Sequence, residues 1–279
     1  MLTALGQSGV FTAIQIIFSR ETYAIIILDR KTKRLRKETG NPDLRSKLDR
    51  DISGTEIVKR AIVRPTKMIL FSPIIALLAV LCAIIYGAMY LVLTTLPLVF
   101  ETVYGFSTAV SGLAYVGLGI GNIIGLLIFS FTSDRYITQR AAKGVLKPED
   151  RMPLLILSCP VIAIGYIWYG WSSRSQLHWM VPIVGSGILG MGNILFILPV
   201  VGYLVDAFTI YAASAIAAST VLRSIGGALL PLAGPIMYEK LGFGWGNTLL
   251  AILVFMFTPA LIMIYRHGEY IRTTWPLNL

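Results

Sequence analysis

The residue with the sharpest chemistry in this sequence is Arg223, set in the apolar stretch YLVDAFTIYAASAIAASTVLRSIGGALLPLAG. Counted from a helix start near Tyr211, it lies roughly 18 Å along the axis at 1.5 Å rise per residue. A guanidinium surrounded by apolar groups needs an acceptor or water. The acids nearest in the pattern are Asp206 and Glu101, both near the ends of their apolar runs. A functional or conformational role is the preferred reading over a purely structural ion pair. Neither acid lies deep enough to serve as a proton carrier.

Two further sets of polar residues fall at helical spacing. Tyr86, Tyr90 and Thr94 recur in steps of four, which places them on one helix face. Such a stripe suits either a path lined by rings and hydroxyls or a packing seam between helices. Ser111, Tyr115 and Asn122 form a second stripe, aimed either into a central cavity or at a neighbouring helix, and Asn193 is the polar side chain of a later run. The expected substrate path therefore comprises Tyr86, Tyr90, Thr94, Tyr115, Asn122, Asn193 and Arg223.

Other chemistries find no support. The sequence has no HExxH, GxSxG or Walker lysine motif, and His178 and His267 stand alone. Cys82 and Cys159 lie inside apolar runs without CxxC or Cys/His spacing, so they read as small core residues rather than a disulfide or metal site. Gly185, Gly187 and Gly190 match GxGxxG, but no strand precedes them and no βαβ unit surrounds them, so the match reads as accidental. The expectation is a protein that is not an enzyme and uses no cofactor or metal.

The elements that must position these residues follow from solvent. Of 279 residues 56% are hydrophobic and only 14% charged, with a mean hydropathy of +0.74, against about 25% charged in a soluble domain. Backbone groups left unpaired in hydrocarbon are too costly, so such runs must be helices of about 20 residues. Six are expected, near residues 69–94, 108–131, 152–171, 180–204, 210–234 and 246–265. Leu2 to Phe18 is shorter and diluted by Thr3, Gln7, Ser8 and Gln15, which suits the end of a truncated span or an interfacial helix. No signal-peptide pattern is seen at the N-terminus. Gly117, Gly121 and Gly125 form a small-residue stripe that allows close helix packing. Prolines such as Pro97, Pro160, Pro199 and Pro231 fall in or at the ends of the spans and can kink them.

Sidedness follows from the basic residues. The net charge of +10 does not mark a nucleic-acid face, because Lys and Arg sit between apolar runs. Fourteen fall between Arg20 and Lys67, five lie around Arg135 to Arg151, and the alternate loops hold only Arg174 and Lys240. The positive-inside rule makes the two rich segments cytoplasmic, with Arg266 and Arg272 in a cytoplasmic tail. The mixed charges of RKTKRLRKETGNPDLRSKLDRD suit a solvated or surface-lying helical linker able to touch anionic lipid. Trp168, Tyr169, Trp171 and Trp179 are expected to form an interfacial aromatic belt. The organisation is thus a first segment 1–19, a cytoplasmic basic linker 20–67, a six-span bundle 68–265 and a tail 266–279.

Several stretches carry a family likeness. RETYA followed by LDRKTKRLRKETGN is similar to a Pro-Glu-Thr-Tyr segment and its basic stretch, with Arg20 in place of the proline. VYGFSTAVSGLAYVGLGIG and the block from Tyr203 to Ala251 continue it. Together they resemble the fungal drug and polyamine proton-antiporter branch of the major facilitator superfamily, in its C-terminal half. The resemblance implies an all-α fold whose six transmembrane helices form the C-terminal bundle. It also implies proton-coupled efflux of drugs, polyamines or secondary metabolites, by alternating access at the plasma membrane or the vacuolar membrane. Asp134, Arg135 and Arg140 look like a second copy of the family's cytoplasmic gating motif, with Ser130 in place of its glycine, and Asp206 joins them at the turn before the fifth span. The partners implied are the lipid bilayer, a small-molecule substrate and a missing N-terminal half, with no nucleic acid. A chain of this length is expected to be a truncated product, or a non-transporting subunit that needs a partner half.

Overall fold

The computed structural model describes residues 24–41, 43–46, 54–142, 144, 147–173 and 177–274, together with Gly9, Thr12 and Gln15. The expected first segment, 1–19, lies almost wholly outside the described residues. Among those residues the chain is helical and contains no strand. It divides into two units, residues 1–58 and 59–279.

In the first unit, helix α1 spans Ala24–Thr39. Its exposed charges pair one turn apart, Lys33 with Asp29 at 2.8 Å and Arg34 with Glu38 at 2.7 Å. Gly40 at φ 66 ends it, and Arg36 reaches forward to the Leu44 carbonyl at 2.7 Å. Helix α2, Gly54–Phe71, crosses the boundary between the units and carries Pro65 inside it. The expected linker is therefore largely helical, and its second helix continues four residues past the expected end at 67.

Within the second unit, α2 ends at a break that the sequence dictates. Ser72 leaves the helical region at φ −110, accepts from the Ile75 amide with its hydroxyl, and is followed by Pro73 at the first helical position. Helix α3 then runs Pro73–Tyr104 and stops at Gly105, whose φ of 68 suits glycine. The short α4, Thr108–Ser111, leads through a tight turn at Gly112–Ala114 into α5, Tyr115–Ala142. Helices α6, Met152–Ser172, and α7, Met180–Phe208, follow. A three-residue corner at Thr209–Tyr211 leads into α8, Ala212–Phe255, and α9 closes the chain at Thr258–Thr274.

Helix α8 is two arms. Gly242 takes φ 71 and ψ 171 inside it, a conformation that L residues avoid. The chain folds back there: Tyr238 stacks on Phe243 with ring centroids 4.9 Å apart and donates its hydroxyl to Asn247 at 3.3 Å. The expected loop between 234 and 246 is thus helix apart from one glycine, and a single left-handed residue does the work of a loop.

Close contacts fix the direction of each pass. Helix α3 and the first arm of α8 run together, with Tyr86 beside Arg223, Gly87 against Gly226, and Leu91 against Gly234. Helix α5 runs along α7 in the same sense, with Gly117, Gly121 and Gly125 against Ile183, Gly187 and Met191. Helices α6 and α7 are antiparallel, with Gly165 against Leu189 and Gly192 against Ile162. The second arm of α8 with α9 descends along α6, from Asn247 beside Gly170 to Gly268 beside Glu149. Among the described residues, four continuous stretches are long and apolar enough to cross a membrane, and the last, Met180–Thr274, contains α7, both arms of α8 and α9.

The core lies among α3, α6, α7 and α8, where Leu78, Phe100, Tyr166, Phe196 and Val200 are fully buried. Cys82 and Cys159 are buried there as well. Tyr169 departs from the expected aromatic belt: it is fully buried, whereas Trp168, Trp171 and Trp179 are exposed. Consecutive residues on a helix point about 100° apart, so Tyr169 faces the core while its neighbours face outward.

Candidate functional site

The crossing of α3 and α8 brings three of the expected path residues together. Helix α8 can approach because Gly226 and Gly87 bring backbone to backbone: a Cβ on Gly87 would lie 2.5 Å from the Gly226 carbonyl oxygen. One turn earlier, Arg223 lays its guanidinium over the Tyr86 ring, 4.6 Å from the centroid. Tyr86 in turn packs on Tyr90 with centroids 4.9 Å apart. Stacking a cation on a ring whose face is electron-rich contributes up to about 2 kcal/mol when water is excluded. Arg223 nevertheless keeps a buried Nε with no hydrogen-bond partner. Tyr90 is 40% exposed, so the pair opens onto a bare face of the bundle.

Neither acid expected near Arg223 reaches it. Asp206 accepts from Arg151 at 2.5 Å, and Glu101 accepts from Ser111 at 3.2 Å. No acid among the described residues pairs with Arg223. Helical separation explains this: Asp206 precedes the corner at Thr209, a full span-half away from Arg223.

The remaining path residues are not gathered at that place. Thr94 is exposed and donates to the Leu91 carbonyl of its own helix at 3.0 Å. The tight turn at Gly112–Ala114 breaks the register assumed for the second stripe. Tyr115 donates to the Leu93 carbonyl of α3 at 2.7 Å, a helix-to-helix bond. Asn122 packs at the α5–α7 contact beside Gly190, with a buried Oδ1 that has no partner. Asn193 is half-buried on α7. The GxGxxG glycines fit their neighbours instead of a nucleotide: Gly185 faces Tyr169, Gly187 faces Gly117, and Gly190 faces Leu118.

A second cluster lies at the end of the bundle where α5 and α7 finish and α6 begins. Arg140 reaches Asp150 at 3.5 Å and donates to the Tyr136 hydroxyl at 2.9 Å. Arg135 is exposed, and the side chain of Asp134 lies outside the described residues. Of the expected gating residues, Arg140 pairs with Asp150 and Asp206 with Arg151. Lys147 meets Glu269 at 2.5 Å, a carboxylate that raises the lysine above its ordinary pKa. Glu149 is buried, with Arg272 3.7 Å away and both carboxylate oxygens lacking a hydrogen bond. Glu149, Asp150, Arg151, Glu269 and Arg272 were not expected as site residues. The one signal in sequence was the density of charge in KPEDR, which also sets the Lys147–Asp150 capping turn of α6.

Similarity to known proteins agrees with this architecture. The sequence model of the Major Facilitator Superfamily matches residues 3–231. The chain is 55% identical over 273 residues to the MFS-type transporter hepF of Aspergillus oryzae, covering 98% of this chain and 56% of that protein. It is 47% identical to the MFS transporter prlG of a fungal species, covering 97% and 58%, and 47% identical to the MFS-type transporter atr4 of Stereocaulon alpinum, covering 98% and 49%. The chain spans about half the length of these curated relatives. With its described residues largely helical and runs long enough to cross a bilayer, this multi-pass integral membrane protein belongs to the Major Facilitator Superfamily.

Proposed function

We propose that the chain supplies six membrane crossings to a transporter of small organic molecules that works by alternating access. The six passes of α3, α5, α6, α7, the first arm of α8, and its second arm with α9 alternate in direction, which supports an even number of crossings. The observation that carries the reading is the α3–α8 crossing. It presents Tyr86, Tyr90 and Arg223 near mid-span on an exposed face, and a path so placed needs a second wall. A second six-helix bundle, the half that the relatives' length leaves room for, is the wall we infer. The charged pairs around Arg151, Asp206, Arg140 and Asp150 sit where rearrangement would bias one access state over the other.

The direction and coupling we assign are proton-coupled efflux of secondary metabolites or related drug-like compounds. Three fungal proteins named as transporters support the transporter part of that reading, and the sequence resemblance supports the coupling and the plasma membrane, with the vacuolar membrane as the other location. The test is accumulation of a panel of small organic compounds in inside-out secretory vesicles bearing the protein, with and without an imposed pH gradient. Gradient-driven accumulation that drops at least about tenfold on Arg223→Ala, at equal membrane level, is the expected result. Vesicles that accumulate nothing, with or without a co-expressed N-terminal bundle, would end the transporter reading.

A further inference from the structure

We infer that the substrate class recognised at the α3–α8 crossing is the organic anion, a carboxylate or comparable planar oxyanion carried on an apolar or aromatic body; this rests on the transport path proposed above. Arg223 is a permanent cation placed eleven residues into α8, about 16 Å along the axis. Its two nearest expected counter-charges are engaged elsewhere, Asp206 by Arg151 and Glu101 by Ser111. The buried Nε lacks an acceptor, and the ring of Tyr86 covers one guanidinium face without supplying a charge. In an apolar span such a cation is stabilised by whatever anion enters, and the planar fork of its N–H donors matches two oxygens in one plane.

The space beside it is shaped for the rest of such a molecule. A Cβ on Gly227 would lie 3.4 Å from the Tyr86 ring and 3.7 Å from the Tyr90 ring, so the bare glycine leaves a shallow cradle along both rings. Tyr90 is half-exposed there and offers an aromatic wall to an apolar body. The same arrangement opposes polyamines and other cations, which would bring a second positive charge beside an unpaired arginine. The substrate class suggested by the family likeness is narrowed accordingly.

Binding separates this inference from transport. The purified protein in lipid nanodiscs is equilibrated, without any gradient, with 2-naphthoate, with its uncharged amide, and with 2-naphthylmethylammonium, three probes of nearly one shape. Wild type should hold the naphthoate at least about tenfold tighter than the amide and hold the ammonium weakest. Arg223→Gln should bring acid and amide together, Arg223→Lys should keep a reduced preference for the acid, and Gly227→Val should weaken the naphthoate by filling the cradle while the charge stays. Each variant is compared at matched monodispersity on size exclusion, and Arg223→Lys guards against loss of fold in the neutral variant. Equal binding of acid and amide by wild type, tighter binding of the ammonium, or an acid preference that survives Arg223→Gln would each overturn the inference. A protein that binds the acid selectively yet moves nothing would overturn the transport reading and leave this one standing.

Discussion

Arg151 donates to Asp206 at 2.5 Å across the bare backbone of Gly202. A Cβ on Gly202 would come within 2.7 Å of the arginine side chain, so the glycine is what lets the start of α6 reach the last turn of α7. The two side chains are 25% and 30% exposed, which keeps the pair's worth near that of a good surface bridge, about 1 kcal/mol. A double-mutant cycle with Arg151→Ala and Asp206→Asn, read by unfolding in mixed micelles, should return a coupling of about 1 kcal/mol. Gly202→Val should mimic Arg151→Ala and add little to it. Additivity of Gly202→Val with Arg151→Ala would show that the glycine acts elsewhere.

Glu149 and Arg272 should respond unequally to neutralisation. The carboxylate is 6% exposed, its oxygens have no hydrogen bond, and the Tyr203 hydroxyl is buried without a partner as well. Gly268 leaves room for the Glu149 side chain, whose Cγ and Oε1 would lie 3.1 and 3.2 Å from a Cβ there. Removing Arg272 strands a buried charge, a loss of about 3 kcal/mol, whereas Glu149→Gln removes the charge itself and costs about 1 kcal/mol or less. Thermal unfolding in detergent at neutral pH should therefore rank Arg272→Gln well below Glu149→Gln. The reverse order would mean that Arg272 holds α9 by some other contact.

What the sequence made legible was whatever local pattern can carry. Apolar runs located the helices, the spacing of Gly117, Gly121 and Gly125 announced a close-packed face, and an isolated arginine in an apolar run drew attention to the residue that meets Tyr86 where α3 and α8 cross. Partnerships were out of reach because they depend on which ends meet. Lys147 and Glu269 are 122 positions apart and Arg151 and Asp206 are 55 apart, so the charged cluster exists only once six passes are arranged. Facing was only partly legible, since Tyr169 is in the core while Trp168 beside it faces out. The break at Gly242 was hidden because one glycine in a left-handed conformation looks like any other glycine in a list of residues.

Paired glycines offer a test of the packing with built-in controls. A Cβ on Gly121 would collide with the Gly187 backbone, whereas Gly119 on the same helix has open space around it. Likewise a Cβ on Gly226 would collide with Ala83, whereas one on Gly227 would make ordinary contact with Tyr86. Gly121→Ala and Gly226→Ala should each cost about 2 kcal/mol by forcing helices apart, and Gly119→Ala and Gly227→Ala should be neutral or slightly stabilising by raising helix propensity. Equal melting temperatures for all four variants would contradict the α5–α7 and α3–α8 contacts.

Cysteine labelling decides whether six passes are six crossings. Thr138 on α5 and Thr273 on α9 are exposed at the end that joins Arg140 to Asp150 and Lys147 to Glu269. Ser107 and Leu177 are exposed at the other end, where Phe106 packs on Trp179 and Tyr104 donates to the Ser172 carbonyl. Cys82 and Cys159 are buried and should give little background. A membrane-impermeant maleimide should therefore label Thr138→Cys and Thr273→Cys only from the side that carries the basic loops, and Ser107→Cys and Leu177→Cys only from the opposite side. Because α5 and α9 are separated by four passes, labelling of their ends from opposite faces would require an odd number of crossings between them. That outcome would remove the six-crossing bundle and, with it, the mid-membrane position on which the role of Arg223 depends.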